Sequence, residues 1–372
     1  MQRKNLLCVF KHIIFLCVVF ISISTYAQTD WTVSLHYHYG SIIPHSPNIN
    51  HLITGPSQGF LLSIDKHSEK KHTWQDIYND PDVGVSFHNQ NNHSQELGDL
   101  YGVYAHYNFY FLKRNLQLRI AQGVAYSTNP YDKGNNFRNI AYGSQFMPST
   151  YFMLNYHKPN IYKNIGVNAG LLFTHHSNAT IKSPNTSTNT LSFALGVTYD
   201  FSNNMRFQQN SSDLSYPDDN QWKINTILRA GINESHIIGM GQKSFYHLSM
   251  LTEKPISETG GLQLGGELFL SNSLKELIPF MAKSFPETGI NADDDWKRIG
   301  VFAGYEWYLN RLSLEGQVGF YVWDQYKQNG SLYQRLGMRY YIQSNWFAVM
   351  SLKTHFAKAE AFELGLGFKW YR

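Results

Sequence analysis

From Trp31 onward the chain consists of segments in which apolar and polar residues alternate, and this period of two limits the fold more than any other feature. Successive side chains of a strand point to opposite faces, so such alternation describes a sheet that is apolar on one side and wet on the other. In 101–111 the odd positions are Tyr101, Val103, Ala105, Tyr107, Phe109 and Phe111, and the even ones include Gly102, His106 and Asn108. In 191–201 the odd row is Leu191, Phe193, Leu195, Val197, Tyr199 and Phe201. In 312–322 and 362–370 the even positions carry the apolar row, ending in Val322 and Trp370. Alternating segments of about ten residues with aromatic ends describe an antiparallel transmembrane β-barrel. A soluble sandwich also alternates, but it does not call for strands this long and numerous, nor for 25 Tyr and 24 Phe.

About sixteen strands are expected, near 31–40, 58–66, 82–90, 100–112, 115–127, 143–157, 162–177, 188–202, 222–234, 243–252, 260–270, 296–309, 312–323, 332–343, 345–356 and 360–371. Several connections after even-numbered strands are short, such as Lys113-Arg114 and Asn310-Arg311, whereas 128–142, 178–187 and 324–331 are longer and polar. That asymmetry fits periplasmic turns and outer loops, with 67–81 and 203–221 as long exceptions on the turn side.

The chain also repeats itself. Gly102-Val-Tyr-Ala-His-Tyr-Asn-Phe-Tyr110 aligns with Gly300-Val-Phe-Ala-Gly-Tyr-Glu-Trp-Tyr308, and Leu195-Gly196 through Phe201 aligns with Leu364-Gly365 through Trp370. Internal duplication divides the mature chain into 28–201 and 222–372, joined by a polar linker at 202–221. Two architectures follow: one closed barrel of about sixteen strands, or two of about eight in tandem. The single barrel is the expectation, on the ground that adjacent hairpins pair directly and leave no extra seam.

The first 27 residues read as a secretory signal peptide. Arg3 and Lys4 precede a mostly apolar stretch from Leu6 to Ile23, and Thr25-Tyr26-Ala27 supplies a small-residue cleavage site. Lys11 interrupts the stretch, which disfavours an uncleaved membrane anchor. The only cysteines, Cys8 and Cys17, fall within this segment, so disulfide frameworks and cysteine nucleophiles are excluded from the mature chain. The formal net charge of +4 includes Arg3, Lys4 and Lys11, so the remainder is +1, which gives no electrostatic case for nucleic acid. Export together with barrel strands points to the outer membrane.

One constellation carries chemistry: Phe173-Thr-His175-His176-Ser177-Asn178-Ala179, followed by Pro184-Asn185 and Asn189. Strand 162–177 has an apolar row at Ile165, Val167, Ala169, Leu171 and Phe173. Continued alternation puts His175 and Ser177 on that lipid-facing row and turns His176 to the lumen. A His and a Ser two residues apart on one strand face suit a general base beside a hydroxyl nucleophile acting on an ester.

His-x-Ser-Asn-Ala at the end of a barrel strand, with Asn185 eight residues after Ser177, resembles the outer-membrane lipid A 3-O-deacylases, also called acyloxyacyl hydrolases. The resemblance covers mainly 100–201. It implies an eight-stranded barrel with a lipid-facing Ser-His-Glu triad, hydrolysis of the 3-linked ester of lipid A in lipopolysaccharide, and no metal or other cofactor. By that resemblance Ser177 is the nucleophile, His175 is the base, and Asn178 and Asn185 lie near the oxyanion. The sequence departs from the family at the triad acid, because the corresponding position, twelve residues after Ser177, is Asn189. An Asn can orient a histidine but cannot stabilise the imidazolium by charge. Separately, Glu363-Leu-Gly365-Leu-Gly-Phe368-Lys-Trp370 resembles the C-terminal sorting signal of outer-membrane barrels, with Tyr371 and Arg372 extending beyond it.

In the second half, His355 is followed by Phe356 and Ala357, so the serine is lost, and the alternation turns His355 to the lumen; this half reads as degenerate and non-catalytic. His36, His38, His67, His72, His88 and His93 show no zinc-type spacing and read as polar filling. The alternative function is a non-catalytic barrel, a channel or scaffold, that keeps the motif by descent.

Overall fold

The computed structural model describes residues 30–68, 73–202, 221–327, 329–356 and 358–370. The expected signal peptide, nearly all of the linker, and Tyr371 and Arg372 lie outside the described residues. The first eight strands are β1 (Trp31–Ile43), β2 (Ser57–Lys66), β3 (Asp82–Asn91), β4 (Asp99–Phe111), β5 (Leu116–Ser127), β6 (Phe146–Tyr162), β7 (Ile165–His176) and β8 (Thr188–Asp200). The next eight are β9 (Lys223–Asn233), β10 (Lys243–Ser257), β11 (Gly260–Ser271), β12 (Lys297–Leu309), β13 (Leu312–Trp323), β14 (Leu332–Tyr341), β15 (Trp346–His355) and β16 (Lys358–Trp370). Each strand overlaps one read from the alternation.

The strands close into two antiparallel barrels, β1–β8 and β9–β16. The first seam pairs β1 with β8, Leu35 opposite Val197 and Gly40 opposite Ser192. Gly40 is required there, since a Cβ would lie 2.1 Å from the Leu191 carbonyl oxygen. The second seam pairs β16 with β9, Leu366 opposite Leu228.

The expectation of a single barrel is therefore corrected. Its premise fails on counting: one sixteen-stranded barrel and two eight-stranded barrels form the same number of ladders, so the seam argument favours neither. The interior decides. An eight-stranded barrel is just wide enough for side chains to fill, whereas sixteen strands leave an aqueous channel. Here Arg119, Arg229, Arg335 and Arg339 are all completely buried and need partners across a narrow lumen. Arg119 Nη2 donates to Asp65 Oδ2 at 2.9 Å, and Asp65 Oδ1 also meets His106 Nε2 at 2.5 Å. In the second barrel Arg335 donates to Glu363 at 2.7 Å and to Glu267 at 3.0 Å. Arg339 donates to Glu306 at 2.7 Å and to Glu315 at 2.8 Å. Arg119 reaches from β5 to β2 and Arg335 from β14 to β11, three strands away around the wall, which the narrow interior of an eight-stranded barrel allows.

Outside, the alternating rows face outward, with Leu191, Phe193, Leu195 and Val197 on β8 all exposed. Among the described residues no helix is long and apolar enough to cross a membrane; the crossing is made by strands. Turns at one end are mostly tight, as at Asn310-Arg311, with the β2–β3 connection a long exception, and the connections at the other end are longer except the one between β15 and β16. One of them holds a helix absent from the strand reading, Asn272–Ser284, which buries Leu274, Leu277, Ile278 and Met281 against Tyr326. Their spacing of three, one and three is helical, so this element was present in the sequence pattern.

Candidate functional site

The loop end of the first barrel carries the candidate cluster. Strand β7 ends at His176, one residue earlier than the alternation implies, so Ser177 opens the β7–β8 loop rather than continuing the strand face. Its amide turns to the Pro148 carbonyl at 3.4 Å, and Ala179 and Thr180 adopt positive φ, 51° and 64°. Parity consequently places His175 but not Ser177. His176 is fully buried, on the opposite face from the half-buried His175.

His175 lies opposite Asn189 in the β7–β8 ladder, and His175 Nδ1 is 2.6 Å from Asn189 Oδ1. Because an amide oxygen can only accept, Nδ1 carries the proton and Nε2 keeps its lone pair. Ser177 is 7% exposed. Its Oγ accepts from Asn185 Nδ2 at 3.0 Å and from the Ala179 amide at 3.1 Å. Asn185 Oδ1 in turn accepts the Asn178 amide at 2.9 Å, and Asn178 Nδ2 donates to the Lys182 carbonyl at 2.6 Å. The Asn178 and Asn185 side chains thus knit the loop, while the Asn185 carboxamide and the Ala179 amide aim N–H groups at the serine oxygen. The structure brings His175 together with Asn189, and Ser177 together with Asn185 and Ala179. Asn178 acts on the loop through Asn185 and Lys182 rather than on the serine oxygen. Asp132 Oδ1 accepts the Gly134 and Asn135 amides of its own turn at 3.0 and 2.8 Å.

The other flank of the loop is anchored by the β5–β6 connection. Thr186 and Ser187 donate amides to the Ile140 and Ala141 carbonyls, and Tyr142 Oη lies 2.6 Å from Thr188 Oγ1. Sequence reasoning missed these contacts, and it missed the Ala179 amide, because a backbone donor leaves no trace in residue type. In the second barrel His355 is buried, with Nε2 at 3.1 Å from Tyr321 Oη and Nδ1 at 3.2 Å from Glu360, as the parity there implies. His36, His38 and His88 point into the first lumen and are buried. Among the described residues no group of three or more His, Cys, Asp or Glu is arranged to hold a metal ion.

An apolar outer wall around a filled polar interior, closed ladder by ladder, defines an outer-membrane β-barrel protein. The model of the lipid A 3-O-deacylase family matches residues 58–198, which include every candidate site residue. The model of the acyloxyacyl hydrolase C-terminal domain matches residues 220–372. The two matches take in most of the chain, which belongs to the lipid A 3-O-deacylase, or acyloxyacyl hydrolase, family. The second half is thus a domain of that family in its own right. Among solved structures, the Neisserial surface protein A is 15% identical, with 46% of this chain and 97% of that chain covered and a TM-score of 0.27. A variant of the Rhodopseudomonas blastica porin is 9% identical, with 91% and 99% covered and a TM-score of 0.20. At such scores neither likeness bears on the argument, and the fold rests on the strand pairing. No curated protein sequence matches the chain.

Proposed function

We propose that the protein is an outer-membrane ester hydrolase that removes the 3-linked acyl chain of lipid A, with Ser177 as nucleophile and His175 as general base. The observation that carries the reading is the His175–Asn189 hydrogen bond, since a proton fixed on Nδ1 leaves Nε2 as the basic nitrogen. In the reaction, Nε2 takes the Ser177 proton as Oγ attacks the ester carbonyl. The Asn185 carboxamide and the loop amides around Ser177 would stabilise the oxyanion. His175 then protonates the departing 3-hydroxyl, and water releases the fatty acid from the acyl-serine by the reverse sequence of proton transfers.

The outward row of β7 supports a substrate drawn from the membrane. Ile165, Val167 and Leu171 are exposed on the barrel wall, and His175 continues that row toward the loop end. The filled lumens leave no reason for a channel. The test is mass spectrometry of lipid A from cells with the protein, without it, and with Ser177→Ala. Loss of one 3-linked hydroxyacyl chain only with the wild-type protein is expected. Unchanged lipid A with a correctly inserted wild-type barrel overturns the reading.

A further inference from the structure

We infer that the second barrel is a positioning half of the hydrolytic site, and that Glu234, in the loop after β9, is the positioning residue through which it acts. The inference rests on the deacylase reading above and deepens it.

The loop that follows β7 is held from outside its own barrel. Ser183 donates its amide to Glu234 Oε2 at 2.9 Å and its hydroxyl to the Ser235 carbonyl at 2.5 Å. The Glu234 amide donates to the Thr180 carbonyl at 2.8 Å. Thr180 Oγ1 donates to the Glu360 carbonyl at 2.6 Å, and Gln242 Nε2 donates to the Ile181 carbonyl at 2.8 Å. Five hydrogen bonds from the second barrel therefore fall on three residues, Thr180, Ile181 and Ser183, of an eleven-residue loop that also carries Ser177 and Asn185.

Glu234 is the centre of this contact. It is 7% exposed and both carboxylate oxygens are used. Oε2 takes Ser183, while Oε1 takes the Gly239 and Gly241 amides at 3.2 and 3.1 Å. Those glycines have φ of 91° and 82°, a conformation that lets the backbone turn its N–H groups onto one oxygen. A carboxylate that accepts three backbone amides fixes two loops at once, and such charge-assisted bonds are about twice as strong as neutral ones. Ser183 is two residues before Asn185, whose Nδ2 meets Ser177 Oγ at 3.0 Å. A displacement of Ser183 moves Asn185, and a misplacement of about 1 Å at a catalytic group costs about 100-fold in rate.

The experiment uses the full chain with purified lipid A in detergent micelles. Glu234→Ala lowers kcat about 10–100-fold with KM within about threefold, because the substrate wall is untouched while the oxyanion side is loosened. Glu234→Gln keeps one acceptor oxygen and recovers part of that loss. Amide hydrogen exchange over 178–187 speeds up in Glu234→Ala, while the strands of both barrels keep their protection. If Glu234→Ala fails to fold, the pair Thr180→Val and Gln242→Ala, which removes two of the same contacts by small changes, carries the test. Wild-type kcat together with wild-type exchange in 178–187 overturns the inference. Should the wild-type enzyme leave lipid A intact, the deacylase reading falls, and faster loop exchange in Glu234→Ala still upholds the holding of the loop by the second barrel.

Discussion

Asn189 faces His175 across the β7–β8 ladder, and its amide oxygen accepts the His175 Nδ1 proton at 2.6 Å. The pair has the geometry of a base and its orienter without the negative charge that a carboxylate would bring. During acyl transfer His175 becomes an imidazolium, and a charge at that distance stabilises it. Asn189→Glu is therefore expected to match or exceed the wild-type deacylation rate, by up to about tenfold, equivalent to about 1.4 kcal/mol of barrier. Asn189→Ala should be slower by at least about tenfold, since the ring loses its fixed tautomer. Rates of both variants across pH check this; if both match wild type throughout, Asn189 is not the orienter.

Ser177→Ala should abolish deacylation, a loss of several orders of magnitude, and leave the barrel folded. The hydroxyl accepts two N–H groups, so its removal costs about 1–3 kcal/mol, small beside sixteen strand ladders. Turnover by a properly inserted Ser177→Ala protein would remove the serine mechanism.

Neighbouring histidines should behave oppositely. His175→Ala is expected to be as inactive as the serine variant. His176 is fully buried in the lumen, and among the described residues neither ring nitrogen has a hydrogen-bond partner. Replacing an unpaired buried polar group by an apolar one of similar size is neutral or stabilising. His176→Leu should keep activity and match or raise the unfolding temperature in detergent.

Arg335→Ala should destabilise the second barrel by about 3–5 kcal/mol. It would leave Glu363 and Glu267 as buried carboxylates without the guanidinium that holds both. The gel-shift temperature at which the folded barrel denatures reports this directly, and an unchanged temperature would show that the lumen network carries no net stability.

Neither barrel should conduct. With Arg119 and Asp65 bonded across one lumen and Arg335 with Glu267 across the other, reconstitution into a planar bilayer is expected to give no stepwise current. Regular single-channel steps would contradict the filled interior.

The strands were legible because a sheet buried on one face writes itself into the sequence at every second residue; β4, for example, alternates outward Tyr101 and Val103 with buried Gly102 and Tyr104. Barrel closure was not legible, since β8 pairs with β1 through backbone groups that every residue possesses. Within the site, His175, Ser177 and Asn185 stand close together in the chain and could be read as a motif. Glu234 could not: it meets Ser183 from 51 residues away, in a loop with no periodicity to mark it. The strand end after His176 was also hidden, because it depends on positive φ at Ala179 and Thr180, which are not residue types that announce a turn.

Each closed unit contains eight strands, an even number. A chain that crosses a membrane an even number of times returns to the side on which it started. The second unit therefore begins where the first began and inherits its polarity without any inversion. Were the first unit built of seven strands or nine, the second would stand upside-down, and the loop after β9 would emerge at the far surface from the loop after β7. The contact between Glu234 and Ser183 is available only because the count is even, so the arithmetic of the first unit determines which surface the second can bring to bear on its loops.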